Sequence, residues 1–120
     1  MSEYSKPIPV IQTWTREFWK ATKKNRLLIQ HCDACGANIF YPRKICPECW
    51  AKDLSWIQAS GRGKIYSFSV MQGMVEPKFM VDLPYVLAMV ELEEGVRMTT
   101  RIVDCETDVV AIDMPVVVVF

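Results

Sequence analysis

The alternation of apolar and polar side chains divides the chain into an extended start, one short helix and a series of strands. Residues 1–12 scatter single apolar side chains around Pro7 and Pro9. Proline blocks helix continuation and biases its predecessor to extended geometry, so this stretch reads as an arm. A helix is expected over 13–24. Thr13 offers an N-cap, Glu17 lies near the positive end, Lys20, Lys23 and Lys24 lie near the negative end, and Asn25 supplies a left-handed stop. Trp14, Phe18 and Ala21 share one helical face, while Trp19 is turned ~100° from Phe18, so the aromatic surface is wider than one stripe. These aromatics either pack on their own domain, as large aromatics mostly do, or anchor an interface, where tryptophan is enriched.

Beyond the helix the period shortens to that of strands. Residues 26–31 read as a strand entering a first cysteine pair, 37–41 as one leaving it, and Leu54-Ser55-Trp56-Ile57 as a third. Gly61-Arg62-Gly63 is a turn into a long strand over 64–71, whose Ile65, Ser67, Ser69 and Met71 alternate with Tyr66, Phe68 and Val70. A loop at 72–83 precedes the apolar run Tyr85–Leu92, and Glu93-Glu94-Gly95 turns it into Val96–Val103. Val116–Phe120 supplies a last β-branched strand. The expected fold is mainly β: an N-terminal helix and rubredoxin-like zinc ribbon, followed by a small OB-type β-barrel of Greek-key kind. The coarse division is 1–58 for arm, helix and ribbon and 59–120 for the barrel.

Composition narrows the class of partner. The 120 residues are 51% hydrophobic and 23% charged, which is ample for a folded core. Fourteen basic residues balance fourteen acidic ones, whereas nucleic-acid binders usually carry a basic excess or stripe, so nucleic acid is not the favoured partner. Near-zero charge gives little self-repulsion, and an exposed apolar patch would tend to associate with another chain. The run Met114–Phe120 falls far short of the ~20 residues of a membrane helix, and the first residues lack a basic segment followed by an apolar stretch. The reading is a cytoplasmic protein without a membrane role.

The cysteines carry the strongest chemical signal. Cys32-Asp-Ala-Cys35 and Cys46-Pro-Glu-Cys49 are two C-x-x-C pairs, each able to wrap one edge of a tetrahedral ion. Gly36 clears a tight knuckle after the first pair, and Pro47 stiffens the second. Disulfides or redox dithiols are the competing reading, disfavoured because no secretion signal is visible and cytosolic thiols stay reduced. Four thiolates close the coordination sphere, so one structural Zn2+ per chain is expected, with no open position for substrate. His31 neighbours Cys32 but has a supporting or surface role when four cysteines suffice. Cys105 lies in the acidic loop Asp104–Asp108, far along the chain from the two pairs, and is not assigned as a nucleophile.

No nucleophile elbow, phosphate loop or dinucleotide fingerprint is present in the sequence. The carboxylates Asp82, Glu91, Glu93 and Glu94 could act as acid or base, yet Glu93-Glu94-Gly95 is most simply a solvated hairpin tip. No catalytic residues are assigned, and turnover by the isolated chain is not expected.

Taken together, Thr15-Arg-Glu-Phe-Trp19, Arg26-Leu-Leu-Ile-Gln-His-Cys32, Tyr41-Pro-Arg43, Cys46-Pro-Glu-Cys49, Ser60-Gly-Arg-Gly-Lys-Ile-Tyr66, Pro84-Tyr85 and Ile112-Asp-Met-Pro-Val116 resemble a known family. It is the zinc-ribbon, OB-fold, acyl-CoA-associated proteins first catalogued as a domain of unknown function. The resemblance covers nearly the whole chain. It implies a non-catalytic accessory or scaffold subunit in acyl-CoA and lipid metabolism, hetero-oligomeric with a thiolase-like acyltransferase or aldolase, or with a hydratase-like enzyme. The partner would carry the chemistry, and this chain would help bind or channel the CoA thioester.

By that analogy Tyr41, Pro42, Arg43 and Lys44, together with Lys78, Phe79 and Tyr85, are candidates for CoA or partner contact, and Trp14, Phe18 and Trp19 for docking. Arg43 and Lys44 suit CoA phosphates, while Phe79 and Tyr85 suit an acyl path. A solvated basic pair and two core aromatics are the plainer alternative. Asp113 departs from the glycine expected before Met114-Pro115, although aspartate tolerates left-handed geometry. The competing function is a nucleic-acid-binding zinc-ribbon/OB protein that stacks bases on Tyr66 and Phe68.

Overall fold

The computed structural model describes residues 8–120, so the first seven residues of the expected arm lie outside it. Helix α1 spans Arg16–Thr22, starting later than Thr13 implied. The cause is local. The Thr15 hydroxyl accepts from the Gln12 N–H at 2.9 Å and donates to the Gln12 carbonyl at 3.2 Å, closing a turn ahead of the helix. Thr15 therefore replaces Thr13 as N-cap, and its hydroxyl makes no bond into the helix. At the other end Asn25 adopts φ 58°, the expected left-handed stop, and the Arg26 N–H reaches back to the Ala21 carbonyl at 3.0 Å.

Strands β1 (Leu28–Cys32), β2 (Asn38–Ile39) and β3 (Leu54–Gln58) form one antiparallel sheet in the order β2-β1-β3. Strands β4 (Arg62–Met71), β5 (Tyr85–Leu92), β6 (Arg97–Ile102) and β7 (Pro115–Val117) form a second, in the order β6-β5-β4-β7. Strand β7 is shorter than expected because its partner begins at Arg62, which pairs with Val117. The Val118 N–H still bonds the Gly61 carbonyl at 2.7 Å. Within the 72–83 loop a 3-10 turn covers Pro77–Asp82; proline presets its first φ and the Glu76 carboxylate accepts the Lys78 N–H at 2.8 Å.

The facing of β4 differs from simple alternation. A register shift between Ile65 and Ser67 inserts Tyr66 as an extra residue, and one extra residue moves everything after it to the opposite face. Ile65 is therefore fully buried, yet Phe68 and Val70, not Ser67 and Ser69, pack on the same core. That inversion explains why both faces of this strand carry apolar residues.

One main core joins the two sheets. Leu27 and Ile29 at the ribbon sheet pack with Ile65, Val86, Ala88, Val90 and Leu92 of the barrel, and Phe18 and Phe40 close over them. Polar contacts fix the same joint. Asn38 Nδ2 donates to the Glu94 carbonyl at 3.1 Å, the Ser60 N–H donates to the Glu94 carboxylate at 2.9 Å, and the Thr99 N–H donates to the Tyr41 hydroxyl at 3.0 Å. Glu94 is thus a rivet as well as a hairpin residue. Glu91 pairs with Arg97 at 3.5 Å and Asp82 with Arg101 at 3.2 Å. Asp113 takes φ 66°, the left-handed turn expected there. Among the described residues no helix is long and apolar enough to cross a membrane.

Candidate metal centre and adjoining cleft

Strand β1 ends on Cys32, and two short turns bring Cys35, Cys46 and Cys49 to it. All four sulfurs lie within 4.8 Å of one another, with Cys32–Cys49 at 3.5 Å and Cys35–Cys46 at 3.6 Å. Thiolates at ~2.3 Å from a tetrahedral ion stand ~3.8 Å apart, so the set fits zinc. Cys32 and Cys46 are buried whereas Cys35 and Cys49 are exposed, which places the site at the edge of the ribbon.

The two turns share one hydrogen-bond plan. Cys32 N–H bonds the Ala37 carbonyl at 2.8 Å and Gly36 N–H the Cys32 carbonyl at 2.8 Å; Cys46 N–H bonds the Ala51 carbonyl and Trp50 N–H the Cys46 carbonyl, both at 2.9 Å. The Cys35 N–H points at Cys32 Sγ (3.5 Å) and the Glu48 N–H at Cys46 Sγ (3.4 Å). Such donors favour thiolate. At the fifth position of each turn the chain must adopt left-handed geometry, and Gly36 does so at φ 80° and Trp50 at φ 67°.

The sulfurs perturb one another strongly. Burial opposes ionisation of Cys46, but the N–H groups of Cys49 and Glu48, helped by the Cys35 and Cys49 thiols, outweigh it and bring Cys46 down to about 7. The Ala37 N–H favours the Cys35 thiolate, yet local desolvation beside the other sulfurs and the Cys32, Cys49 and Cys46 thiols themselves override it and push Cys35, exposed as it is, up to about 12. Crowded sulfurs of this kind resist collective ionisation until a dication compensates them. A bound zinc would supply structural cross-linking here, its sphere closed by sulfur.

The tip has little else to hold it. Its apolar cluster contains three buried residues, Cys32, Ile39 and Cys46, two of which belong to the sulfur set. His31 lies outside that set. Since Asn38 Nδ2 donates to Glu94, Asn38 Oδ1 faces His31 Nδ1 at 2.8 Å, and that ring nitrogen carries the proton. Cys105 is exposed and also outside the set.

The segment 41–45 crosses beside the sulfurs, held by Gln30, which is buried. Its side-chain amide pairs with the Arg43 backbone in both directions, accepting from N–H at 2.6 Å and donating to C=O at 2.9 Å. Gln30→Leu strands both backbone groups, and a loss of about 2–3 kcal/mol in denaturant-derived stability is expected. The segment lines an open cleft of about 470 Å³ with Trp14, Pro42, Arg43, Lys44, Pro47 and Trp50. Lys44 Nζ lies 4.4 Å from the centroid of the Trp14 ring.

Two family models match this arrangement: the rubredoxin-like zinc ribbon domain of ChsH2 over residues 19–55, and the C-terminal OB-fold domain of ChsH2 over residues 56–120. The chain belongs to the ChsH2 zinc-ribbon and OB-fold family. A DUF35 domain-containing scaffold protein of Methanocaldococcus jannaschii is 45% identical over 85% of this chain and 73% of its own length. A probable enoyl-CoA hydratase alpha subunit of Thermomonospora curvata is 38% identical over 93% of this chain, which spans only 34% of that relative. The benzoylsuccinyl-CoA thiolase subunit BbsA of Geobacter metallireducens is 31% identical over 59% of this chain and 46% of its own length. Among solved structures, a chain of the Ltp2-ChsH2(DUF35) aldolase is 38% identical, with a TM-score of 0.81 over 92% of this chain and 85% of that one.

The contact residues that the family resemblance implied from the sequence fall into separate places. Trp14, Pro42, Arg43 and Lys44 share the cleft. Phe18, Trp19, Phe40 and Tyr41 form an aromatic row, with centroid separations of 5.0 Å for Phe18–Trp19, 5.7 Å for Phe18–Phe40 and 4.5 Å for Phe40–Tyr41. Lys78 and Phe79 lie on the 3-10 turn, and Tyr85 sits under Arg101 at 4.6 Å; none of the three lines the cleft. The proposed base-stacking pair is divided, since Phe68 packs on the core and the exposed Tyr66 ring is covered by Arg97 at 3.8 Å. Trp50, Gln30 and Asn38 were not singled out from the sequence. Trp50 did leave a signal there: Cys-x-x-Cys-x-Ala occurs twice, with glycine at the fifth position once and tryptophan once.

Proposed function

We propose that this chain is a non-catalytic accessory subunit of an acyl-CoA-processing complex. It docks on a thiolase-like acyltransferase or aldolase and helps bind or channel the CoA thioester. The observation that carries this reading is the likeness, over 92% of the chain, to a chain of the Ltp2-ChsH2(DUF35) aldolase. Relatives named as a scaffold protein and as a thiolase subunit support it. A hydratase-like partner is the related possibility raised by the relative named as a hydratase alpha subunit.

In this proposal Cys32, Cys35, Cys46 and Cys49 hold one structural zinc that shapes the ribbon and takes no part in turnover. Arg43 and Lys44 offer charge to CoA phosphates or to the partner, and Tyr41 and Pro42 shape that segment. Lys78, Phe79 and Tyr85 form a second contact area, and Phe18 and Trp19 support the docking face. The test is to tag the chain in its native cell and identify what accompanies it by mass spectrometry. A stoichiometric thiolase-like or hydratase-like chain is expected, with no acyl-CoA turnover by the isolated subunit. Recovery of the chain alone, or with RNA or DNA, overturns the reading.

A further inference from the structure

Trp50 sits where the local geometry asks for glycine. The matching turn places Gly36 there at φ 80°, whereas Trp50 adopts φ 67°, a region that bulky side chains rarely enter. A strained aromatic can be offset by packing, but Trp50 is 77% exposed. It instead lines the cleft together with Trp14, Pro42 and Pro47, and Arg43 and Lys44 are the charged groups of that lining. No carboxylate is among those lining residues. The arm before Trp14 in sequence carries Ile8, Val10 and Ile11, each more than half exposed, though none of them lines the cleft.

We infer that the Trp14–Trp50 cleft is a docking site for an acidic, apolar-anchored segment of the partner enzyme, with Trp50 kept in its strained geometry as the anchor. The inference rests on the accessory-subunit reading and assigns part of its interface. Partner chemistry follows from the lining: the exposed Trp50 and Pro47, beside the half-buried Trp14 and Pro42, take an apolar or aromatic side chain, and two exposed cations with no carboxylate among the described lining residues take carboxylates. A small molecule is the weaker fit, because small-molecule sites enclose most of their ligand and this cleft is open with Trp50 standing in solvent. Exposed tryptophan at a site of strain has the character of a residue retained for binding at a cost to stability.

The decisive variant is Trp50→Gly, measured in the complex purified with its thiolase-like or hydratase-like subunit. Glycine relieves the left-handed geometry, so the melting temperature of the isolated subunit is expected to rise, while affinity for the partner falls at least tenfold. A purely structural tryptophan would give the opposite melting shift and leave affinity intact. Trp50→p-benzoylphenylalanine provides a second readout: irradiation of the complex is expected to cross-link position 50 to an Asp/Glu-containing segment of the partner. Unchanged affinity of Trp50→Gly, a cross-link to a second copy of this chain, no cross-link within an intact complex, or protection by free coenzyme A overturns the inference. An intact complex in those cases leaves the accessory reading standing, whereas absence of any complex removes both.

Discussion

Cys46→Ser is expected to release zinc and unfold the ribbon tip, taking the metal content from one ion per chain to near zero. Apparent structural zinc binding of about 10–16 kcal/mol is as large as the whole stability of an ordinary domain, about 5–15 kcal/mol. The tip cannot compensate, because its apolar cluster holds only Cys32, Ile39 and Cys46 as buried members. Losing Cys46 removes a ligand and one of those three together. The damage should remain graded along the chain. Leu27 and Ile29 belong to the main core, and the Asn38 and Tyr41 joints tie the ribbon base to the barrel. Hydrogen exchange should therefore accelerate over 32–51 before it does in β4 and β5. Metal analysis and a melting curve indistinguishable from the parent would refute the structural-zinc assignment.

Gly63→Val is expected to destabilise the barrel by about 3 kcal/mol or more, a size reached only through core strain or cavities. Gly63 lies in β4 between Leu92 of β5 and Val116 of β7. A Cβ placed there meets the Glu91 carbonyl oxygen at 2.5 Å, Val90 Cγ1 at 2.9 Å and the Glu91 carbonyl carbon at 3.2 Å. Two of those atoms are backbone of the neighbouring strand, so they can retreat only by opening the β4–β5 pairing. Gly73→Ala is the control, since nothing lies within 4 Å of its added Cβ, and a change within about 0.5 kcal/mol is expected. Equal urea midpoints for Gly63→Val, Gly73→Ala and the parent would exclude the close approach as a constraint on this fold.

Much of the fold could be read directly from residue types. Strand β5 occupies the span Tyr85–Leu92 that its apolar run marks out, although burial alternates along it, because a continuous apolar run bounded by a proline and a turn has few alternatives. Asn25 and Asp113 both take the left-handed geometry expected of them, since their short polar side chains tolerate it. The helix start was less legible. Thr13 and Thr15 are both competent caps, and only the turn closed between Gln12 and Thr15 distinguishes them.

For the site, spacing alone paired the cysteines, because a C-x-x-C turn is a local structure that two short loops can build without the rest of the chain. The family resemblance then linked that ribbon to acyl-CoA enzymes. The cleft beside the sulfurs depended on contacts far apart in sequence: Gln30 holding residue 43, Trp14 meeting Lys44, and Trp50 brought to the same rim. The bulge at Tyr66 likewise reversed the facing of Phe68 and Ser67, since register is set by the partner strand rather than by the strand's own alternation. By itself the sequence determined the metal-ligand set, most element spans and the class of fold, all consequences of short-range chemistry and periodicity. Only the tertiary structure decided which aromatics share a surface and which are buried, because that depends on how two sheets meet through one core.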